Sequence, residues 1–321
     1  MRESTFTFAA QDGLAIFVYC WLPEVRPPEV RPTAVHPKFA QPKAAVQIVH
    51  GLAEHAGRYR HVAEALTQEG YAVYASDLRG HGRTASNADD LGFFAEHDGW
   101  RKCLDDLWQL NRRIAEDIGV PIVLLGHSMG ATMARQLMAE HGDALAGVVL
   151  SGSSGQPVPL AIAGRMIARV ERLRLGARGR SFLIRALTFD TFNARFRPAR
   201  TRFDWLSRDA AEVDKYTADP LCGFTPSTQL WIDFLDGWAK IARSCAGVPK
   251  SLPVYVIAGD DDPVSERTKM LQPMLAQYQA AGISAEHKFY PGARHELLNE
   301  TNRAEVSNDL IAWIRRVLSK P

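Results

Sequence analysis

The sequence predicts an α/β domain built on a mostly parallel sheet with helices on both faces. Three observations predict it. From residue 44 onward, short apolar runs alternate with longer amphipathic ones, the order that parallel strands need for their crossovers. A Gly-x-Ser-x-Gly turn, Gly126-His127-Ser128-Met129-Gly130, stands between one such strand and the helix after it. An aspartate cluster, Asp260-Asp261-Asp262, and a histidine, His295, stand just past two late strands, where open α/β sheets bind their ligands.

The elements follow in order. Thr5-Phe-Thr-Phe8 alternates, Asp12-Gly13 suits a tight turn, and Leu14–Leu22 continues as a second strand, so the chain opens on a hairpin rather than a signal-peptide core. Residues 23–43 repeat Pro-Glu-Val-Arg-Pro and can form neither helix nor central strand, so they read as an extended surface excursion. Strands are predicted near 44–49, 71–76, 121–126, 145–151, 253–258 and 285–290. Helices are predicted near 59–69, 99–118, 129–141, 226–244, 264–281 and 303–318. In the last of these, Val306, Leu310, Trp313, Ile314 and Val317 fall at helical spacing, and that stripe docks on the sheet. The alternation breaks over 152–225, too long for a loop. The expected division is therefore a core of 1–151 and 226–321 with a helical lid of 152–225 inserted over Ser128.

Composition narrows the class. A chain of 321 residues holds one α/β domain with an insertion, and a net charge of +2 gives no case for nucleic-acid binding. No run reaches the length of a membrane-spanning helix. Cys20, Cys103, Cys222 and Cys245 are scattered without a C-x-x-C pair. They read as reduced and mostly buried, which suits a cytoplasmic protein.

The Gly-x-Ser-x-Gly turn carries chemistry when strand precedes it and helix follows, because the serine then stands exposed at a strand end. Gly126 and Gly130 leave room for the tight turn. A serine hydroxyl needs a base, and the base needs a carboxylate to hold its tautomer. His295 is the expected base. Asp262 is the first choice of acid and Asp260 the second, with Pro263 expected to open the next helix. An oxyanion hole needs two backbone N–H groups. Met129, after the nucleophile, supplies one. The loop His50-Gly51-Leu52 after the strand 44–49 supplies the other from Leu52, with Gly51 letting the backbone turn back toward Ser128.

With these motifs in hand the chain resembles a known family. His50-Gly-Leu-Ala-Glu-His-Ala-Gly-Arg-Tyr59, Asp77-Leu-Arg-Gly-His-Gly82, Gly126-His-Ser-Met-Gly130 and Tyr216-Thr-Ala-Asp-Pro-Leu221 look like the monoacylglycerol lipase and lysophospholipase group of α/β-hydrolases, which is also grouped with serine aminopeptidase-like hydrolases. The resemblance runs from about residue 44 to 316. It implies the α/β-hydrolase fold, an eight-stranded, mostly parallel sheet with an inserted lid. It implies cleavage of lipid-like carboxylic esters without metal or cofactor, through Ser128, His295 and Asp262, with Leu52 and Met129 holding the oxyanion. His50, Gly51, Gly126, His127 and Gly130 then shape the elbow and pocket. The loop Asp77–Gly82 bounds the pocket and is assigned no chemistry.

The same triad serves peptide or amide cleavage and acyl transfer. An aspartate-nucleophile route is disfavoured by Ser128, and a binding protein without catalysis by the competent residues at each position. Within the expected lid, residues 164–202 hold eleven arginines and two acids. Leu160–Leu175 sets Ile162, Ala163, Met166, Ile167, Val170 and Leu173 on one face and Arg165, Arg169 and Arg172 on the other. Three uses are open: peripheral docking on anionic lipid surfaces, lining of an acyl tunnel by the apolar face, or packing of that face on its own domain. The expected partner in the pocket is a small acyl ester.

Overall fold

The computed structural model describes residues 1–24, 41–155, 158–242 and 245–319. Of the Pro-rich segment 23–43, residues 25–40 lie outside the described residues. The chain opens with β1 (Arg2–Ala9) and β2 (Ala15–Leu22), paired antiparallel from Ala9↔Ala15 to Arg2↔Leu22. It continues through β3 (Ala44–Val49), α1 (Arg60–Gln68), β4 (Tyr71–Ser76), α2 (Gly99–Ile118), β5 (Ile122–His127), α3 (Met129–His141) and β6 (Gly147–Ser151). An inserted segment carries α4 (Val158–Leu175), two short turns α5 (Phe182–Arg185) and α6 (Thr191–Ala194), and α7 (Ala210–Ala218). The chain then returns through α8 (Thr228–Ala242), β7 (Val254–Gly259), α9 (Leu271–Ala280), β8 (Ala285–Tyr290) and α10 (Arg303–Leu318).

The eight strands form one sheet in the order β1-β2-β4-β3-β5-β6-β7-β8. Pairing is parallel from β4 onward across the sheet, and β2 joins β4 antiparallel. The two-residue period of the strands builds two cores. Val123, Leu125, Val149, Tyr255 and Ile257 face α1 and α10, where Trp313 stacks on Tyr255. Leu124, Val148, Leu150, Val254 and Val256 face α2, α3 and α9. All four cysteines are free, and three are buried.

Two expectations need correction. The helix predicted over 264–281 begins only at Leu271. Residues 263–270 form turns in which Glu266, Arg267 and Thr268 all adopt positive φ. Pro263 therefore does not open that helix. Pro273 supplies the reason: proline is tolerated in a first helical turn but clashes with a carbonyl four residues back, so the helix starts just before it.

The second correction concerns α4. Its buried residues are Ala161, Ala168 and Glu171, and it packs on α8. Ala163 and Ile167 line the central cavity. The larger apolar side chains Leu160, Ile162, Met166, Val170 and Leu173 are exposed, Leu173 at 89%. The apolar face does not pack as a unit on its own domain. Ile167 packs inward beside Ile184, Trp231 and Ile232, while the five side chains named above are turned outward.

Candidate active site

The topology delivers four strand ends to one edge of the sheet. β5 ends at His127 and α3 begins at Met129, leaving Ser128 alone to make the turn. Its backbone takes φ 53°, ψ −116°, a strained conformation for a residue with a side chain. The glycines on either side are needed for contact rather than dihedral freedom. A Cβ on Gly126 would lie 2.4 Å from the Gly130 carbonyl oxygen, and one on Gly130 would lie 2.2 Å from that of Val49.

His295 follows β8 and Asp262 follows β7. The Ser128 hydroxyl donates to His295 Nε2 at 2.9 Å, and His295 Nδ1–H donates to both Asp262 oxygens at 3.1 Å. That arrangement fixes the tautomer in which Nε2 is the free base. Asp262 is fully buried and also accepts the Val264 N–H. Burial opposes a charge on His295, but Asp262, with Glu296 and Glu54 behind it, outweighs burial and raises its pKa above the ordinary value. The neighbouring aspartates are engaged elsewhere. Asp260 accepts the Gly292 N–H at 2.6 Å, and Asp261 pairs with Arg267 at 3.0 Å.

The loop after β3 comes close to Ser128. A Cβ on Gly51 would lie 3.2 Å from Ser128 Cβ and 2.8 Å from Glu54 Oε1. Leu52 and Met129 both line the cavity at Ser128, and neither N–H has an acceptor among the described residues. His50 and His81 tie this loop to the segment after β4. His50 Nε2 accepts the Leu78 N–H at 3.0 Å and its Nδ1–H donates to the Gly51 carbonyl. His81 Nε2 accepts the Ala53 N–H at 3.4 Å and its Nδ1–H donates to the Arg79 carbonyl. Burial holds both rings neutral, with pKa values down to about 3. The loop Asp77–Gly82 is thus the clamp on Leu52. His127, buried with its pKa lowered by burial, sits 4.9 Å ring to ring from His295.

Sequence reasoning missed a buried charge network beside the histidine. Arg58 grips Glu296 through two bonds of 2.6 and 2.7 Å and Glu54 through one of 2.7 Å. Glu54 also accepts the Gly51 N–H and the Tyr59 hydroxyl, and Glu296 accepts from Asn299. Burial works against both carboxylates, yet Arg58 outweighs it and holds both pKa values below the usual range. The signal was present in Glu54-x-x-x-Arg58, one helical turn apart, and in Glu296 next to the histidine. The site opens into a cavity of about 1020 Å³ walled by Ile167, Ile184, Phe189, Trp205, Trp231 and Phe234. A hydroxyl with its base, two free N–H donors and an apolar cavity can together bind and cleave an acyl group.

Comparison with known proteins now places the chain. The family described as serine aminopeptidase, S33, matches residues 40–302. The chain belongs to that family. Within its wider kin, a monoacylglycerol lipase of Mycolicibacterium smegmatis is 28% identical, covering 97% of both chains. The human monoglyceride lipase is 28% identical over 96% of this chain and 88% of its own. Among solved structures, a highly thermostable carboxyl esterase from Bacillus coagulans, in complex with glycerol, matches with a TM-score of 0.85 at 27% identity, covering 99% of each chain. The fold is that of the α/β-hydrolases, as the sequence led one to expect.

Proposed function

We propose that the protein is a serine hydrolase that cleaves carboxylic esters of lipid-like substrates, a monoacylglycerol or a lysophospholipid. The observation that carries this reading is the 2.9 Å contact of Ser128 Oγ with His295 Nε2 at the floor of an apolar cavity. Monoacylglycerol lipase relatives that span nearly the whole chain support it.

Ser128 attacks the acyl carbonyl while His295 Nε2 takes its proton. Asp262 stabilises the imidazolium through Nδ1–H. The Leu52 and Met129 N–H groups receive the developing oxyanion, each worth about 3–4 kcal/mol. His295 returns the proton to the leaving alcohol, giving an acyl-enzyme. A water deprotonated by His295 then releases the fatty acid. Residues 152–225 act as a lid over Ser128, and 1–151 with 226–321 form the core.

The family description favours a second reading, cleavage of a peptide from its amino end. Such a substrate brings a free ammonium that needs an available carboxylate. Of the carboxylates lining the cavity, Glu54 and Glu296 are committed to Arg58 and only the exposed Glu266 is unpaired among the described residues, so the ester reading rests on the apolar walls and the lipase relatives. A panel of p-nitrophenyl esters, monoacylglycerol, lysophosphatidylcholine and aminoacyl anilides tests the choice. Turnover confined to the anilides would reject it.

The lid also supports peripheral docking on anionic membranes. Its exposed Met166, Val170, Leu173 and Phe182 stand among arginines of the same segment. No helix among the described residues is long and apolar enough to cross a membrane.

A further inference from the structure

A second cluster of chemically capable side chains lies behind the oxyanion loop. His55 closes that loop, and Asp219 and Cys222 stand in the turn after α7. His55 Nε2 and Asp219 Oδ2 are 3.0 Å apart, and the donor atoms of all three residues lie within 4.8 Å of one another. Among the described residues it is the one trio of such ligands brought together in this way.

We propose that His55, Asp219 and Cys222 bind a borderline-soft divalent cation, Zn²⁺ in the first place, and that occupancy slows ester turnover through the oxyanion loop. The donor set is one imidazole nitrogen, one carboxylate oxygen and one sulfur, the mixture that tetrahedral zinc accepts, with a fourth position left for water. The local charge favours a cation. Arg58 is outnumbered by its own partners Glu54 and Glu296, and Asp219 adds a further negative charge. Access is through Asp219, whose side chain is 30% exposed, whereas Cys222 is buried.

The proton balance is simple. His55 now donates Nε2–H to Asp219. On metal binding that proton moves to Nδ1, which is buried without a partner, and Nε2 presents its lone pair, so the metal bonds must outweigh one unpaired buried N–H. Cys222 gives its thiol proton to solvent, since the thiolate is the ligand.

The link to turnover is structural. The Ala53 carbonyl accepts the Tyr216 hydroxyl at 2.8 Å and the Gly223 N–H at 2.9 Å. Tyr216 and Gly223 bracket Asp219 and Cys222 in the chain, and Ala53 follows Leu52. Drawing the three ligands onto one ion shifts the turn that holds the Leu52 N–H in place. The binding stands without the hydrolase reading; the inhibition rests on it.

The test is a titration of the purified full chain with zinc chloride against a chromophoric chelator, beside turnover of p-nitrophenyl butyrate. Wild type and Ser128→Ala are expected to bind one ion per chain alike. Cys222→Ser and Asp219→Asn each weaken or remove a direct ligand and are expected to bind at least about 10–100-fold more weakly, the loss that changes behind the ligands already produce. The wild-type inhibition curve should follow the binding curve, and Cys222→Ser should need correspondingly more zinc. Asp219→Asn keeps an acceptor for His55, so it serves if Cys222→Ser does not fold. No saturable binding by wild type overturns the proposal. So does equal binding by both ligand variants, which would put the ion elsewhere, for example on His295. An inactive wild type that still binds zinc through Cys222 leaves the site standing and refutes the hydrolase reading instead.

Discussion

The Tyr216 hydroxyl donates to the Ala53 carbonyl at 2.8 Å, joining the end of the inserted segment to the loop that presents Leu52. Both partners are buried, and Arg58 lies 4.8 Å over the tyrosine ring. Tyr216→Phe removes the donor while keeping the ring. The Ala53 carbonyl retains the Gly223 N–H, so stability should fall by only about 1 kcal/mol. The Leu52 N–H loses part of its alignment, and kcat for p-nitrophenyl butyrate should drop roughly tenfold with KM little changed, since a whole oxyanion donor is worth about 10²–10³. An unchanged kcat would separate this bond from the oxyanion loop's function.

Ser128→Ala and His295→Ala should each lower ester turnover by several orders of magnitude, up to about 10⁶. Labelling of wild type by a fluorophosphonate probe should vanish in Ser128→Ala. Near-normal turnover in either variant refutes the assignment.

The pH profile follows from His295. It acts as a base only when neutral, and Asp262 holds its pKa above the ordinary value despite burial. Activity should therefore fall as pH drops through a value above about 6.5. Asp262→Asn removes the raising charge, so the acid limb of kcat/KM should move to lower pH while the plateau falls by about 10⁴. A limb that stays in place would show that another group controls it.

Arg58→Met leaves Glu54 and Glu296 buried without their cation. Breaking a buried pair in this way costs about 3–5 kcal/mol. In wild type both carboxyl pKa values are depressed, so their contribution to stability is present above the unfolded value and is lost as pH falls through the folded one. In the variant both are raised instead. Its deficit in melting temperature should be largest at neutral pH and shrink toward acid pH. A deficit independent of pH would point to lost packing alone.

The exposed face of α4 predicts a separable membrane effect. Met166→Ser with Leu173→Ser should reduce co-sedimentation with anionic vesicles and leave hydrolysis of soluble short-chain esters unchanged, because neither side chain lines the cavity. Wild-type binding that is equal on neutral and anionic vesicles, or insensitive to salt, rejects the arginine contribution.

The primary sequence alone determined the alternation of strands and helices, the turn at Ser128, and the placing of an acid and a histidine after β7 and β8. These are local properties: side-chain period, proline and glycine placement, and a motif spanning five residues. Tertiary structure decided what local signals leave degenerate. Position in the fold pattern singled out Asp262 among three chemically alike aspartates, and the approach of β7 to β8 is what turns it toward His295 while Asp260 braces Gly292. The grip of Arg58 on Glu296 spans 238 positions, beyond any periodicity. Which apolar side chains of α4 turn inward was set by its contact with α8 and the cavity wall, which apolar spacing along one helix does not specify.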